Sequence, residues 1–137
     1  CSRLLVAGAS LSVPFVAVIT RRGYGLGAQA MVAGSLHEPL LTVAWPSAEL
    51  GPLGLEGAVR LGMRRGLEKI EDDAERGRTV RELTEMALEN AKALNAASLF
   101  ELDDVIDPAD SRRLVSSTLA AAATGGPRPP RRSVDTW

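Results

Sequence analysis

The segment RRGYGLGAQAM, from Arg21 to Met31, combines features that could stabilise a developing negative charge. The segment follows the apolar run PFVAVIT directly, and three glycines alternate with other residues at positions 23, 25 and 27. Glycine lets a backbone approach a ligand closely, and the first turn of a helix carries unpaired N–H groups with a partial positive charge. A glycine loop between a strand and a helix can therefore form an oxyanion hole, which requires no catalytic side chain. A tight turn whose glycines only ease packing is the structural alternative.

The same segment also matches a nucleotide-binding pattern. Gly23, Gly25 and Ala28 fit G-x-G-x-x-A, a variant of the dinucleotide fingerprint. However, two arginines separate the loop from the strand, and the helix that follows is short before Pro39. The next strand ends in WPS, without an acid placed to bind a ribose. These features disfavour a dinucleotide site and leave it as the last alternative.

Composition excludes several classes of function. The chain has 137 residues, of which 45% are hydrophobic, and this suits one soluble domain or part of a larger one. With 16 basic and 17 acidic side chains, the net charge of −1 argues against a nucleic-acid partner. Because Cys1 and His37 are the only residues of their types, no metal site is expected in this chain, and a Ser–His–Asp triad is disfavoured. No apolar run approaches the roughly 20 residues that span a bilayer, and no signal peptide is visible, so we expect a cytoplasmic protein without a membrane partner.

Hydrophobic periodicity predicts an α/β fold, because helical and strand patterns alternate along the chain. The predicted helices cover residues 2–11, 28–33, 55–63, 80–94 and 107–123, and the predicted strands cover residues 15–20, 40–45 and 99–106. The predicted connections are a glycine loop at 23–27, a loop or short strand at 47–52, and a charged, solvated turn at 68–78. The strand at 15–20 is expected to be buried on both faces. Three strands are too few for a self-contained doubly wound sheet, so a partial domain is expected.

Several polar residues have simple structural interpretations. Trp45 is expected to be a buried aromatic residue, and Glu49 a carboxylate that caps nearby backbone. Asp103, Asp104 and Asp107 could suggest a cation site, but acids before a helix more often cap it or lie in a solvated loop. Asp107 is expected to be the N-cap of the last helix, because a proline follows it at the first helical position.

The remaining charged segments leave alternatives open. Arg21 and Arg22 could meet a carboxylate or a phosphate, or form ion pairs with the acidic surface. His37 is expected in a surface loop. The tail TGGPRPPRRSVDTW is expected to be a loosely ordered C-terminus, with a polyproline ligand as the alternative.

Three long stretches occur in a recognisable order. They are RRGYGLGAQAM, VAWPSAELGPLGLEGAVRL and AASLFELDDVIDPADSRRLV, and RPPRR follows them near the end of the chain. Together they resemble motifs of the carboxyltransferase β subunit of biotin-dependent acyl-CoA carboxylases, which are ligases of fatty acid metabolism. The resemblance extends over about residues 13–132.

This resemblance implies a fold and a domain organisation. The family's fold is the crotonase-type (ClpP/crotonase) ββα spiral, present as two related domains per subunit. The chain resembles the later half of the C-terminal, biotin-side domain over residues 1–123, followed by a Pro/Arg-rich tail at 124–137. The CoA-binding domain is outside the resemblance, so the fragment alone is expected to be inactive. A homo-oligomer or a dependence on partner chains is expected.

The resemblance also implies a chemistry. A carboxyl group moves from biotin, carried on a partner α subunit, to the α-carbon of an acyl-CoA. The backbone N–H groups of Leu26 and Gly27 are implied to hold the ureido oxygen of biotin, with Gly25 and Ala28 as neighbouring contacts. Gln29 occupies a position where many members have an aspartate that lines the acyl pocket.

Two other functions remain open. The chain could be a truncated, non-catalytic scaffold or interaction subunit with the same fold. It could also be a crotonase-type hydratase or isomerase, although the sequence shows no obvious acid/base pair near the loop.

Overall fold

Two small parallel sheets and seven α-helices make up the computed structural model, which describes residues 2–124. In chain order the elements are α1 (Ser2–Ala9), β1 (Ala17–Ile19), β2 (Arg22–Tyr24), α2 (Gly25–Met31), β3 (Thr42–Ala44), β4 (Glu49–Gly51), α3 (Leu55–Gly62), α4 (Arg64–Leu67), α5 (Asp73–Ala91), α6 (Ala93–Ser98), β5 (Asp104–Val105), a 3-10 helix (Pro108–Asp110) and α7 (Ser111–Thr124). Within these residues, no helix is both long and apolar enough to cross a bilayer.

The strands alternate between the two sheets. The first sheet has the order β1-β3-β5, and the second contains β2 and β4; every pair is parallel. Val18 lies opposite Val43 in the first sheet, and Gly23 lies opposite Leu50 in the second. Because parallel neighbours need a crossover connection, a helix follows each pair of strands. The chain therefore repeats a ββα unit, as β1-β2-α2 and then β3-β4-α3.

The core is built from small side chains around the central strand β3. All three residues of β3, Thr42, Val43 and Ala44, are buried. The cluster below them contains Ala44, Ala48, Ala93 and Leu102. Small residues allow close approach of the strands and helices, which suits a chain with only 4% aromatic residues.

The predicted helices at both ends of the chain are confirmed. Helix α1 covers Ser2–Ala9, within the predicted 2–11. At the other end, the Asp107 carboxylate accepts a hydrogen bond from the Ala109 N–H at 2.8 Å, as expected of an N-cap. The chain then passes through the 3-10 helix before α7 begins at Ser111. The predicted polyproline alternative for the tail falls outside the described residues.

The prediction of a solvated turn over residues 68–78 is wrong for its second half. Helix α5 begins at Asp73 and includes the residues 73–78. The Asp72 side chain accepts a hydrogen bond from the Ala74 N–H at 2.9 Å, and Asp73 and Glu75 lie in the first turn. Acidic residues there interact favourably with the helix dipole, so the charge run initiates a helix.

Three predicted strand and loop boundaries also differ. The glycine loop at 23–27 does not exist as such, because Arg22–Tyr24 pairs with Glu49–Gly51 as a strand and Gly25 begins α2. Strand β1 was predicted to be buried on both faces, but all three of its residues are only half-buried. Only Asp104–Val105 of the predicted strand 99–106 is extended, because the chain turns sharply at Phe100, whose φ is +60°.

The adjacent acids act as hydrogen-bond acceptors for backbone. The Asp103 carboxylate accepts from the Thr42 N–H at 2.7 Å, and the Thr42 carbonyl accepts from the Asp103 N–H at 2.9 Å. The Asp104 carboxylate accepts from the N–H of its neighbour, Val105, at 2.8 Å. No group of three or more metal-ligating side chains occurs within residues 2–124, so the described acids do not gather into a cation site.

We expect Asp103→Ala to destabilise the fold by about 1–3 kcal/mol, because it removes the side-chain acceptor of a backbone N–H on a buried strand. Asp104→Ala is the matched control and should change the free energy of unfolding by less than about 0.5 kcal/mol. Denaturant unfolding of both variants measures the difference. Equal stabilities of the two variants would contradict this role for Asp103.

Candidate functional site

The chain changes from strand to helix at a single glycine. Tyr24 ends β2 in an extended conformation, with φ −110° and ψ 138°, and is the N-cap residue of α2. Gly25 follows with φ +61°, in the left-handed region that side chains disfavour. A Cβ atom on Gly25 would also lie 3.0 Å from the Pro52 carbonyl oxygen. Only glycine fits this turn without strain, so the direction in which α2 leaves the sheet is fixed here.

The first N–H groups of α2 lack a capping side chain. Tyr24 forms no side-chain hydrogen bond to them. In an α-helix that begins at Gly25, the N–H groups of Leu26 and Gly27 have no acceptor within the helix. The N–H of Ala28 is the first that can bond back, to the Tyr24 carbonyl. Leu26 and Gly27 are both exposed, and a Cβ on Gly27 would meet no atom within 4 Å, so a ligand could reach these two donors.

The Tyr24 side chain is bound to the neighbouring strand. Its hydroxyl donates a hydrogen bond of 2.6 Å to the Glu49 carboxylate on β4, and Arg22 lies 3.6 Å from the same carboxylate oxygen. Burial, then the hydrogen bond and the negative charge of Glu49, raises the pKa of Tyr24 from 10.0 to about 12, against a smaller lowering by Arg22. Tyr24 is therefore a neutral hydrogen-bond donor at physiological pH.

A cavity of about 1020 Å³ adjoins this turn. It lies between β1, β2 and α2 on one side and the chain near α6 on the other. Four predicted site residues line it: Gly25, Leu26, Ala28 and Gln29. Gly27 does not contribute to its lining. The structure thus brings most of the predicted residues to one wall of one cavity.

The cavity is largely apolar, with a few polar groups. Leu26, Met31 and Leu99 are all more than two-thirds exposed, although they line it. The charged groups on its wall are those of Arg21, Arg22 and Glu101, and the amide groups are those of Gln29 and Asn90. Apolar surface with a few polar groups is typical of a site for an organic ligand.

Sequence reasoning missed the role of Glu49. The carboxylate was predicted to cap nearby backbone, but it accepts a hydrogen bond from the Tyr24 hydroxyl instead. Parallel pairing of β2 with β4 places Tyr24 and Glu49 on the same side of the small sheet. The two residues are 25 positions apart in the sequence, so their contact cannot be inferred from local sequence patterns. Of the alternatives for Arg22, the structure shows an ion pair with this carboxylate.

Trp45 and His37 do not line the cavity. Trp45 was predicted to be a buried aromatic residue but is half-buried, and its indole N–H donates a hydrogen bond to the Ser111 hydroxyl at 2.9 Å. This bond joins the end of β3 to the start of α7. His37 is exposed in a turn, which confirms the expected surface position.

Titration of Tyr24 tests the pair with Glu49, since the chain contains one tyrosine. In the 137-residue chain, phenolate absorbance should give a pKa of about 12. Glu49→Ala should lower this pKa but leave it above 10.0, because burial, the largest cause, remains. Glu56→Ala, which removes an exposed partner of Arg60 on α3, is the control and should leave the Tyr24 pKa unchanged.

The raised pKa of Tyr24 also makes the stability of the fold depend on pH. An unfolded tyrosine ionises at about pH 10, and the folded state holds the proton to higher pH. The resulting stabilisation is fully present below pH 10 and is lost as the pH rises towards 12. A wild-type titration near 10 would contradict a buried, hydrogen-bonded phenol.

Comparisons with known proteins give a consistent family. The sequence model of the carboxyl transferase domain matches residues 1–134. The methylmalonyl-CoA carboxyltransferase 12S subunit of Propionibacterium freudenreichii subsp. shermanii is 36% identical over 128 residues, which are 90% of this chain and 23% of that relative. The chain therefore spans about a quarter of this relative's length.

Solved structures agree with the sequence comparison. A single-chain, multi-domain long-chain acyl-CoA carboxylase is 50% identical with a TM-score of 0.73, and the match covers 85% of this chain and 11% of the carboxylase. The transcarboxylase 12S hexamer with methylmalonyl-CoA bound is 33% identical with a TM-score of 0.76, and the match covers 98% of this chain and 25% of the 12S chain. The chain therefore belongs to the carboxyl transferase domain family, and its described residues form part of a crotonase-type domain.

Proposed function

We propose that this chain is part of the carboxyltransferase component of a biotin-dependent acyl-CoA carboxylase. In this proposal, the backbone N–H groups of Leu26 and Gly27 stabilise negative charge on the ureido oxygen of biotin. The observation that carries it is the uncapped first turn of α2 at the wall of a large, mostly apolar cavity. The relatives, which include a carboxyltransferase and an acyl-CoA carboxylase, support the reaction class.

The groups present at the turn fit a neutral cofactor with a polar oxygen. Backbone N–H donors stabilise an oxyanion by hydrogen bonding without transferring a proton to it, and they stay in place during the reaction. Substrates bound against the apolar part of the lining would displace water, which strengthens each hydrogen bond inside the site. Leu26 and Gln29, on the same wall, would contact the cofactor or the acyl group.

When bound, carboxybiotin would supply the carboxyl group that is transferred to the α-carbon of the acyl-CoA, with Leu26 and Gly27 holding its ureido oxygen. The protein's task is to stabilise charge and to hold two large substrates in line. Leu26 and Gly27 do the first through their N–H groups. The walls of the cavity do the second.

The proposal includes assembly with other chains. The described surface exposes large apolar residues, among them Leu94, Leu99 and Phe100, at 68%, 73% and 83% exposure. Exposed apolar residues in such numbers favour contact with further protein. The similar transcarboxylase 12S protein assembles as a hexamer in a multienzyme core, which supports an oligomer and a biotin-carrying partner here.

Deleting one backbone donor tests the proposal. Leu26→Pro removes the N–H while proline remains compatible with the first turn of a helix; Leu26→Ala keeps the N–H and is the matched control. Carboxyl transfer from malonyl-CoA or methylmalonyl-CoA to free biotin is measured with each. We expect Leu26→Pro to lower kcat by about 100-fold or more, the usual effect of losing one oxyanion donor, and Leu26→Ala to stay within about tenfold of wild type, because the donor remains.

The assay is run on the chain alone and on the chain combined with the remaining region of its longer relatives as a second polypeptide. We expect transfer only in the combination. A folded chain that is inactive in both would favour the scaffold alternative. Equal activity of Leu26→Pro and Leu26→Ala would contradict the role of the backbone donor.

A further inference from the structure

We propose that Tyr24 and Glu49 form a positioning pair, which fixes the turn at Gly25 and so holds the Leu26 and Gly27 N–H groups in one orientation. This inference rests on the proposed function, because it concerns the same turn. It assigns no chemical step to either side chain. The pair acts through the backbone of α2.

The position of Tyr24 is unusual for an N-cap. Residues preferred there, such as serine or aspartate, place a side-chain oxygen on the N–H groups of the first turn. Such a cap would occupy the donors that the reaction needs. Tyr24 instead directs its hydroxyl to Glu49, 2.6 Å away, and leaves the N–H groups uncapped. The pair therefore orders the N-cap residue without consuming a donor.

The Glu49 end of the pair is firmly held. Its N–H donates to the Arg21 carbonyl at 2.6 Å, and it forms an antiparallel bridge with Lys92. The preceding residue, Ala48, is buried and accepts a hydrogen bond from the Ala93 N–H at 3.0 Å. The Glu49 side chain is only 24% exposed. Tyr24 is thus bound to a strand that is fixed from both sides.

The ring of Tyr24 adds a second constraint. It packs over Gly51, where a Cβ would lie 3.4 Å from the ring. Arg22, which faces the same carboxylate, is 65% exposed and contributes a screened ion pair. The hydrogen bond and the ring contact, more than the arginine, determine where the first turn of α2 begins.

Four variants of the assembled, active carboxyltransferase test the pair. Tyr24→Phe keeps the ring and loses the hydroxyl, whereas Glu49→Ala removes the acceptor. We expect each to lower kcat for carboxyl transfer by about tenfold, with KM for the acyl-CoA unchanged, as for loss of a hydrogen bond to a charged group. The double variant should lose no more than the worse single variant, because both break the same interaction. Glu49→Gln keeps an acceptor oxygen and should stay within about fivefold of wild type, since the ion pair it loses is weak.

Hydrogen exchange of residues 22–31 provides a readout that needs no activity. Tyr24→Phe and Glu49→Ala should raise exchange there by about tenfold, while residues 102–110 stay unchanged. Glu56→Ala is the control for a lost carboxylate and should alter neither exchange in residues 22–31 nor kcat.

The two readouts separate this inference from the proposed function. If the wild-type assembly transfers no carboxyl group but the variants still show faster exchange, the proposed function fails and the structural pair stands. Unchanged exchange in Glu49→Ala, or a kcat of Tyr24→Phe within about twofold of wild type, would overturn the positioning role. A loss of kcat in proportion to the unfolded fraction would also overturn it, because stability alone would then explain the effect.

Discussion

The parallel pairing of β2 with β4 is the interaction on which the candidate site depends. It places Tyr24 opposite Gly51 and beside Glu49, and it brings Gly25 against the Pro52 carbonyl. The turn at Gly25 then sets the direction of α2 and the position of its uncapped N–H groups. Three residues on each strand suffice because the second sheet is supported by the first and by the α5–α6 junction, to which β4 is hydrogen-bonded.

The ββα repeat explains why so short a chain can position a site at all. Each unit places one strand in the buried sheet and one in the small outer sheet, followed by a helix. In the first unit the helix begins at the cavity; in the second, Pro52 and Gly51 line the same cavity. The two units therefore contribute adjoining parts of one wall. The small side chains of Ala44, Ala48 and Ala93 let the strands and α6 approach closely.

The sequence allowed the prediction of elements that local chemistry determines. The helical C-terminal end of the described chain is an example, because Asp107 and the proline that follows it start the 3-10 helix Pro108–Asp110, which leads into α7. The glycine at position 25 also marked the turn between strand and helix, where φ is +61°. Motif resemblance predicted the family, which the comparisons support over residues 1–134.

Features that arise from tertiary pairing could not be predicted in this way. Strand β2 contains a glycine and only three residues, so its propensity is weak and its pairing with β4 creates it. The Tyr24–Glu49 bond follows from that register. Likewise, the cavity residues Asn90 and Glu101 come from distant parts of the chain. The turn predicted for the charge run at 68–78 was wrong in its second half, because the acids there cap and begin α5.

The most direct measurement is a structure of the carboxyltransferase assembly with biotin bound. We expect the Leu26 nitrogen to lie about 2.7–3.2 Å from the ureido oxygen, the range of an N–H···O hydrogen bond, with Gly27 as the second donor. Biotin bound elsewhere, or held at its ureido oxygen by side chains with both N–H groups unused, would show that the first turn of α2 is not the oxyanion site.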